Sequence, residues 1–200
     1  MLNLLEIKVL ILIVTAVAAL FVASPALQRV LVYPQTEFFS ELWLLGPGHM
    51  AEGFPHNVTS GQSYNMYLGV GDQLGECAYY EVRVKFRNFT QSAPDSFNRT
   101  ASSLPALYNV YMFVADKESW ELPVTFGFEY SYDQGSSRVL LNNLLFNSER
   151  LSLVGQSTAW SSNRTDFYGN LVFELWIYNS TISGFQYHER YVDLKFNMTV

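Results

Sequence analysis

Polar and apolar residues alternate with a period of two along several stretches of this chain, the pattern of half-buried β-strands. In residues 80–86, four apolar side chains alternate with Glu81, Arg83 and Lys85. The three charged residues are therefore predicted to form a solvent face. The same alternation, or a comparable apolar run, predicts further strands at residues 64–70, 108–115, 124–132, 139–146, 171–178 and 192–198.

These seven strands, with no long amphipathic helix between them, predict an all-β fold: an Ig-like antiparallel β-sandwich preceded by one N-terminal transmembrane helix. Residues 69–72 and 133–135 are predicted to form turns, because they contain glycine and aspartate. Residues 91–103 and 156–170 lack the alternation and are predicted to be long surface loops.

The N-terminal region has a different pattern, with a stretch at residues 9–23 that is apolar apart from Thr15. We predict that residues 1–25 form a transmembrane anchor and residues 26–200 an extracellular domain, with the amino terminus cytoplasmic. A cleaved signal peptide is the alternative, because residues 24–26 (Ser-Pro-Ala) form a passable cleavage site.

The chain contains repeated Asn-x-Thr sequons, the acceptor sequence for N-linked glycans. Six of the ten threonines lie in such sequons, whereas random placement of the 13 asparagines would give on the order of one. We therefore predict a glycoprotein exposed at the cell surface. The predicted glycosylation sites are Asn57, Asn88, Asn98, Asn163, Asn179 and Asn197.

Composition supports an extracellular domain and argues against nucleic-acid binding. Charged residues make up 15% of the chain and aromatic residues 16%, while the net charge is −6. A phosphate-binding surface would need clustered lysines and arginines. Cys77 is the only cysteine, so an intrachain disulfide is impossible, and we expect it to be a small core residue at the start of a strand.

No catalytic, cofactor-binding or metal-binding site is predicted. His49, His56 and His188 have no spacing that would align them as ligands, and the residues after Cys77 do not supply the His and Met of a blue-copper site. The sequence lacks the common hydrolase, protease, phosphate-loop and dinucleotide motifs.

The four tryptophans are the remaining candidates for recognition. Trp120 and Trp176 are expected to pack in the core between the sheets, whereas Trp43 and Trp160 are candidates for stacking on sugars. Trp43 is also a candidate for contact with the membrane interface.

Residues 39–48 (FSELWLLGPG) and 51–55 (AEGFP), followed by the sequon at 57–59 (NVT), resemble the archaeal DUF1616 family of unknown function. Residues 190–199 (RYVDLKFNMT) are similar to the closing strand of that family. The resemblance implies an extracellular Ig-like sandwich that follows a membrane helix, and it implies no activity. This chain differs from fuller members in having one apolar segment where they have several.

We therefore expect a non-enzymatic, N-glycosylated cell-surface domain that acts as an accessory or interaction subunit of a membrane or envelope assembly. Its expected partners are the membrane, other surface proteins and covalent N-glycans. One alternative is a surface filament assembled by strand donation, with residues 27–38 as the donor segment. A carbohydrate-binding surface protein is a further alternative.

Overall fold

The structure, a computed structural model, describes residues 4–30, 38–95, 97–161 and 166–200. It divides the chain into two compact units, Met1–Glu37 and Phe38–Val200. The described residues form one helix and eleven strands: α1 (Leu4–Val30), β1 (Phe39–Leu45), β2 (Asn57–Thr59), β3 (Ser63–Gln73), β4 (Ala78–Asn88), β5 (Tyr108–Val114), β6 (Ser119–Asp133), β7 (Arg138–Phe146), β8 (Glu149–Ser152), β9 (Ser157–Ala159), β10 (Tyr168–Asn179) and β11 (Gly184–Thr199).

The first unit contains helix α1, which is 27 residues long. Large apolar side chains between Ile7 and Val22 are exposed along it. Among the residues that the structure describes, no helix is both long enough and apolar enough to cross a membrane. The predicted donor segment begins inside α1, because residues 27–30 are helical, and residues 31–37 lie outside the described ranges.

The second unit is formed by two sheets that pack face to face, as predicted. The first sheet has the order β1-β3-β6-β7-β8, with β9 also paired to β7. The second sheet has the order β2-β11-β10-β4-β5. Neighbouring strands are antiparallel except β2, which runs parallel to β11 over three residues. All seven predicted strands are confirmed, and β1, β2, β8 and β9 are additional.

Aromatic and aliphatic side chains from both sheets form one core between them. Period-two alternation directs these side chains inward, so each strand contributes every second residue. The core rings contact one another across the sheets; for example, Phe86 and Phe196 lie 5.7 and 5.3 Å from Phe128, measured between ring centroids. Trp120 packs against this core, as expected.

The predicted turn at residues 69–72 is wrong, because these residues continue strand β3. Gly69 lies directly opposite Trp43 of β1, and a Cβ atom at position 69 would be 2.1 Å from Cε2 of the indole. Glycine is needed here for close approach of the neighbouring side chain. The turn predicted at residues 133–135 is confirmed between β6 and β7.

The predicted loop at residues 156–170 is wrong in part. It contains strand β9, and β10 begins at Tyr168. Thr158 in β9 is buried and donates a hydrogen bond to the backbone oxygen of Tyr168, 2.8 Å away. Three residues are too few for periodicity to reveal, and pairing with β7 stabilises them instead.

Two other expectations about exposure are also wrong. Glu81 and Lys85 are only 2% and 3% exposed, so the polar side of β4 is not a solvent face. Cys77 is exposed and precedes β4, whose first residue is Ala78. The loop predicted at residues 91–103 is confirmed over its described residues, and part of it buries the charges of β4.

Candidate functional site

The outer face of the second sheet has one covered half and one bare half. Alternate residues of β5, β4, β10 and β11 point away from the core and form this face. The loop between β4 and β5 lies over one half through Ser102. The other half lies towards the β10–β11 hairpin.

The covered half is held by a buried ion pair. Nζ of Lys85 lies 2.8 Å from Oε2 of Glu174, and both side chains are almost completely buried. Ser102 donates hydrogen bonds from its backbone N and its Oγ to Oε1 of Glu174, at 2.8 and 2.7 Å. Lys85 also donates to the backbone oxygen of Ser102. The loop therefore supplies hydrogen bonds that offset the cost of burying these two charges.

A row of polar and aromatic contacts marks the border between the halves. The guanidinium of Arg83 lies 3.6 Å from the ring centroid of Trp176, a cation–π contact. The same guanidinium pairs with Glu81 at 2.8 Å, and the hydroxyl of Tyr111 donates to the other carboxylate oxygen of Glu81 at 3.1 Å. The expectation that Trp176 packs in the core between the sheets is wrong, because its ring lies on the outer face of the second sheet against Arg83.

The bare half carries a cluster of five aromatic rings, which we call the aromatic face: Tyr79, Tyr111, Phe113, Tyr178 and Phe185. Tyr79 is central, with its ring centroid 4.2 to 6.3 Å from the other four. Phe113 is 70% exposed, Tyr111 50% and Tyr178 42%. Large contiguous apolar patches on protein surfaces are frequent sites of interaction, so this cluster is the candidate functional site.

Three of the five described sequons lie at the opposite end of the second sheet. Asn88 is nine residues from Tyr79 along β4, which corresponds to about 30 Å of strand. Asn197 lies at the same end, since Asn88 pairs with Gly169 and Asn197 with the preceding residue of β10. Asn57 is directly beside Asn197, whose Nδ2 donates to its Oδ1 at 3.1 Å.

The two remaining described sequons also avoid the aromatic face. Asn98 is exposed in the loop that covers the other half of the sheet. Asn179 follows Tyr178 in β10, so strand alternation directs it to the opposite side, where it bonds to Gln186. Asn163, the sixth predicted site, lies outside the described residues. None of the five described sequon asparagines is therefore part of the aromatic face.

A buried polar network, which sequence reasoning missed, joins β1 to β11. Oγ of Ser40 lies 2.6 Å from the hydroxyl of Tyr80 and 2.9 Å from Nε2 of His188. Burial, with the charge of Arg190, lowers the pKa of His188, and burial raises the pKa of Tyr80. Ser40 is only 2% exposed, and its hydroxyl already contacts both partners. The network therefore fits a structural role better than nucleophilic catalysis.

The other candidates from sequence lie apart from the aromatic face. His49, in the turn after β1, pairs at 2.9 Å with Glu121 of β6, far along the chain from His188. Within the described ranges, no three His, Cys, Asp or Glu side chains come together as metal ligands. Trp43 lies against Gly69, and Trp160 is 49% exposed with its ring edge-on to Phe167.

The second unit is thus a two-sheet sandwich with an exposed aromatic cluster on one sheet face. The chain belongs to the family described as "Domain of unknown function (DUF1616)", which matches residues 34–165. This confirms the resemblance found in the sequence. No curated protein matches the sequence.

Two solved structures illustrate the likeness to known folds. A β-glucosidase from Listeria innocua in complex with glucose is 8% identical, with a TM-score of 0.39; the match covers 84% of this chain and 17% of the glucosidase. The CARDB domain of the PF1109 protein from Pyrococcus furiosus, in complex with di-metal ions, is 9% identical, with a TM-score of 0.37 and coverage of 84% and 98%. Neither likeness is close enough to bear on function.

Proposed function

We propose that this chain is a non-enzymatic, N-glycosylated cell-surface domain that binds another surface or membrane protein through its aromatic face. The observation that carries the proposal is the cluster of five contiguous rings, three of them at least 42% exposed. Aromatic residues are enriched in protein interfaces and dominate their binding energy. On this account the domain is an accessory or interaction subunit of a membrane or envelope assembly.

The positions of the sequons support an interface at this face. Glycans are bulky, so a surface that must bind another protein has to stay clear of them. The five described sequon asparagines are either distant from the aromatic face or directed away from it. In this proposal the glycans make the rest of a weakly charged surface soluble.

Membrane attachment is part of the proposal. Its support is the apolar stretch at residues 9–23 and the exposed apolar side chains of α1, which water does not favour. Attachment would place the sandwich outside the cell, where the sequons can be modified. Mass spectrometry of the mature N-terminus separates a retained segment from a cleaved one.

The decisive experiment is purification of the full chain from native membranes in mild detergent. The variant F113S/Y178S removes two exposed rings of the aromatic face, and F97S removes a ring outside that face that is 90% exposed. We expect the wild type and F97S to retain the same co-purifying protein and F113S/Y178S to lose it. Unchanged co-purification with F113S/Y178S, or a wild type that purifies alone, would refute the proposal.

Carbohydrate binding is a second candidate function, and the same ring cluster favours it, because flat exposed rings can stack on sugars. The original candidates, Trp43 and Trp160, are weaker, since Trp43 packs over Gly69. A glycan array with the wild type and F113S/Y178S tests this function. Binding that is lost in the variant would favour the sugar, and absence of binding would remove this candidate.

A further inference from the structure

Strand β5 forms an open edge of the second sheet, and it contains no charged residue. Natural sheets protect their edges with charges, prolines, bulges or very short strands. Among the other edge strands in the described ranges, β1 and β8 carry charged residues, and β2 and β9 are only three residues long. β5 has seven residues, no proline and an unshifted register with β4. It is therefore an unprotected edge.

The backbone of β5 presents hydrogen-bonding groups to the open side. The hydrogen bond from N of Met198 to O of Phe167 shows that the odd-numbered residues of β10 direct their backbone N–H and C=O groups towards β11. These groups alternate in direction along each strand, so the even-numbered residues of β10 bond to β4 and the even-numbered residues of β4 bond to β5. By this alternation Asn109, Tyr111 and Phe113 direct their N–H and C=O groups away from β4. An extended strand with the same spacing could pair with all three.

The outward groups of β5 are self-complementary. If two copies of β5 meet antiparallel about Tyr111, this residue lies opposite its own counterpart, and Asn109 lies opposite Phe113 of the partner subunit. All seven residues are then paired without opposing any two like charges. A two-fold interface of this kind closes and stops at a dimer.

The side chains on the outer face favour the same arrangement. Tyr111 and Phe113 are the exposed rings nearest to the open edge. Pairing would place Tyr111 beside Tyr111 of the partner subunit and Phe113 diagonally across from it, and aromatic cross-strand pairs stabilise antiparallel strands. The two aromatic faces would then form one continuous surface.

We propose that β5 binds β5 of a second copy of this chain, which joins the two second sheets into one continuous sheet. The inference rests on the proposed function, because two of the five rings belong to both surfaces. It deepens that function by naming a partner and a mode of contact. The remaining rings, on β4, β10 and β11, stay available to another protein.

Disulfide cross-linking of the full chain in its native membrane tests the pairing. With Cys77 replaced by serine, Y111C places two thiols on opposite strands with Cα atoms about 5.5 Å apart, within disulfide range. N109C is the matched control, because its two introduced thiols would lie about 13 Å apart along the paired strands. We expect mild oxidation to convert most Y111C chains to a covalent dimer and to leave N109C chains as monomers.

Three outcomes would overturn the inference: no cross-link with Y111C, equal cross-linking of both variants, or a cross-link from Y111C to a different protein. A second variant, N109P, removes an outward N–H while leaving the five rings intact. Light scattering of the purified protein should give twice the chain mass of 22.8 kDa, plus any glycans, for the wild type and about half that value for N109P. A dimeric N109P would also refute the pairing.

The outcomes also separate this inference from the proposed function. If Y111C fails to cross-link while binding of another protein still depends on Tyr178, the self-pairing is wrong and the proposed function stands. If Y111C cross-links but loss of Tyr178 changes no binding, β5 pairs with itself and the aromatic face has no further partner. Tyr178 lies on β10, away from the β5 edge, so its substitution leaves the pairing strand unchanged.

Discussion

Replacement of Lys85 by methionine should destabilise the sandwich far more than the loss of an ordinary surface charge. Nζ of Lys85 lies 2.8 Å from the carboxylate of Glu174, which is fully buried. Methionine preserves much of the apolar stem but removes the ammonium group. Glu174 would then keep its hydrogen bonds from Ser102 and a longer hydrogen bond, 3.3 Å, from Nε1 of Trp176. Its negative charge would have no positive partner.

The expected cost follows from the burial of the pair. Removing one partner of a buried ion pair costs about 3–5 kcal/mol, because the remaining charge is left uncompensated. A surface pair is worth about 0–1 kcal/mol, and Lys117 with Asp116 provides one, since that lysine side chain is 76% exposed. K117M is therefore the control. The double variant K85M/E174L should recover most of the loss, because two apolar side chains replace two buried charges.

Urea unfolding, followed by tryptophan fluorescence, measures these differences. Limited proteolysis adds a local readout, because Ser102 ties the β4–β5 loop to the pair, and K85M should expose that loop to cleavage. A K85M variant within about 1 kcal/mol of K117M would refute the reasoning. A double variant no more stable than K85M would show that Glu174 is needed for its hydrogen bonds to the loop.

Three further predictions concern other parts of the sandwich. The pKa of His188 is lowered from its ordinary value of 6.5, because burial disfavours the charged imidazolium. The free energy of unfolding should therefore be highest above pH 6.5 and fall as the pH drops below that value. H188Q should flatten this dependence in pH-resolved thermal unfolding. G69A should cost about 1–3 kcal/mol in the same assay, because its Cβ would overlap the ring of Trp43. Glycopeptide mass spectrometry should find Asn98, which is exposed, more fully occupied than Asn88, which is half-buried.

The strands could be predicted because half-buried positions repeat with a period of two over seven or more residues. That signal is clear in β6 and in the last residues of β11, whereas β10 is buried on both faces and is marked by its apolar run. β2 and β9 could not be found, since three residues carry no period and pairing alone defines them. Gly69 and Gly71 suggested a turn because close approach of another strand is invisible in a single stretch of sequence.

The candidate site was harder to predict because its residues are distant in sequence. Alternation in β4 marked Glu81, Arg83 and Lys85 as exposed, but the loop after β4 folds back over part of that face. The five rings come from four strands, and only the strand order brings them together. The alternating exposed positions of β5 are the one local signal, since its polar side carries two aromatic residues where charges are usual.

The central claim is that the aromatic face contacts another protein, and site-specific photo-cross-linking in the native membrane tests it most directly. A benzophenone amino acid at position 178 lies on the face but off the β5 edge, and the same amino acid at position 97 serves as the control. The account predicts one discrete cross-linked protein from position 178 and none from position 97. The same products from both positions, or no product from position 178, would contradict it.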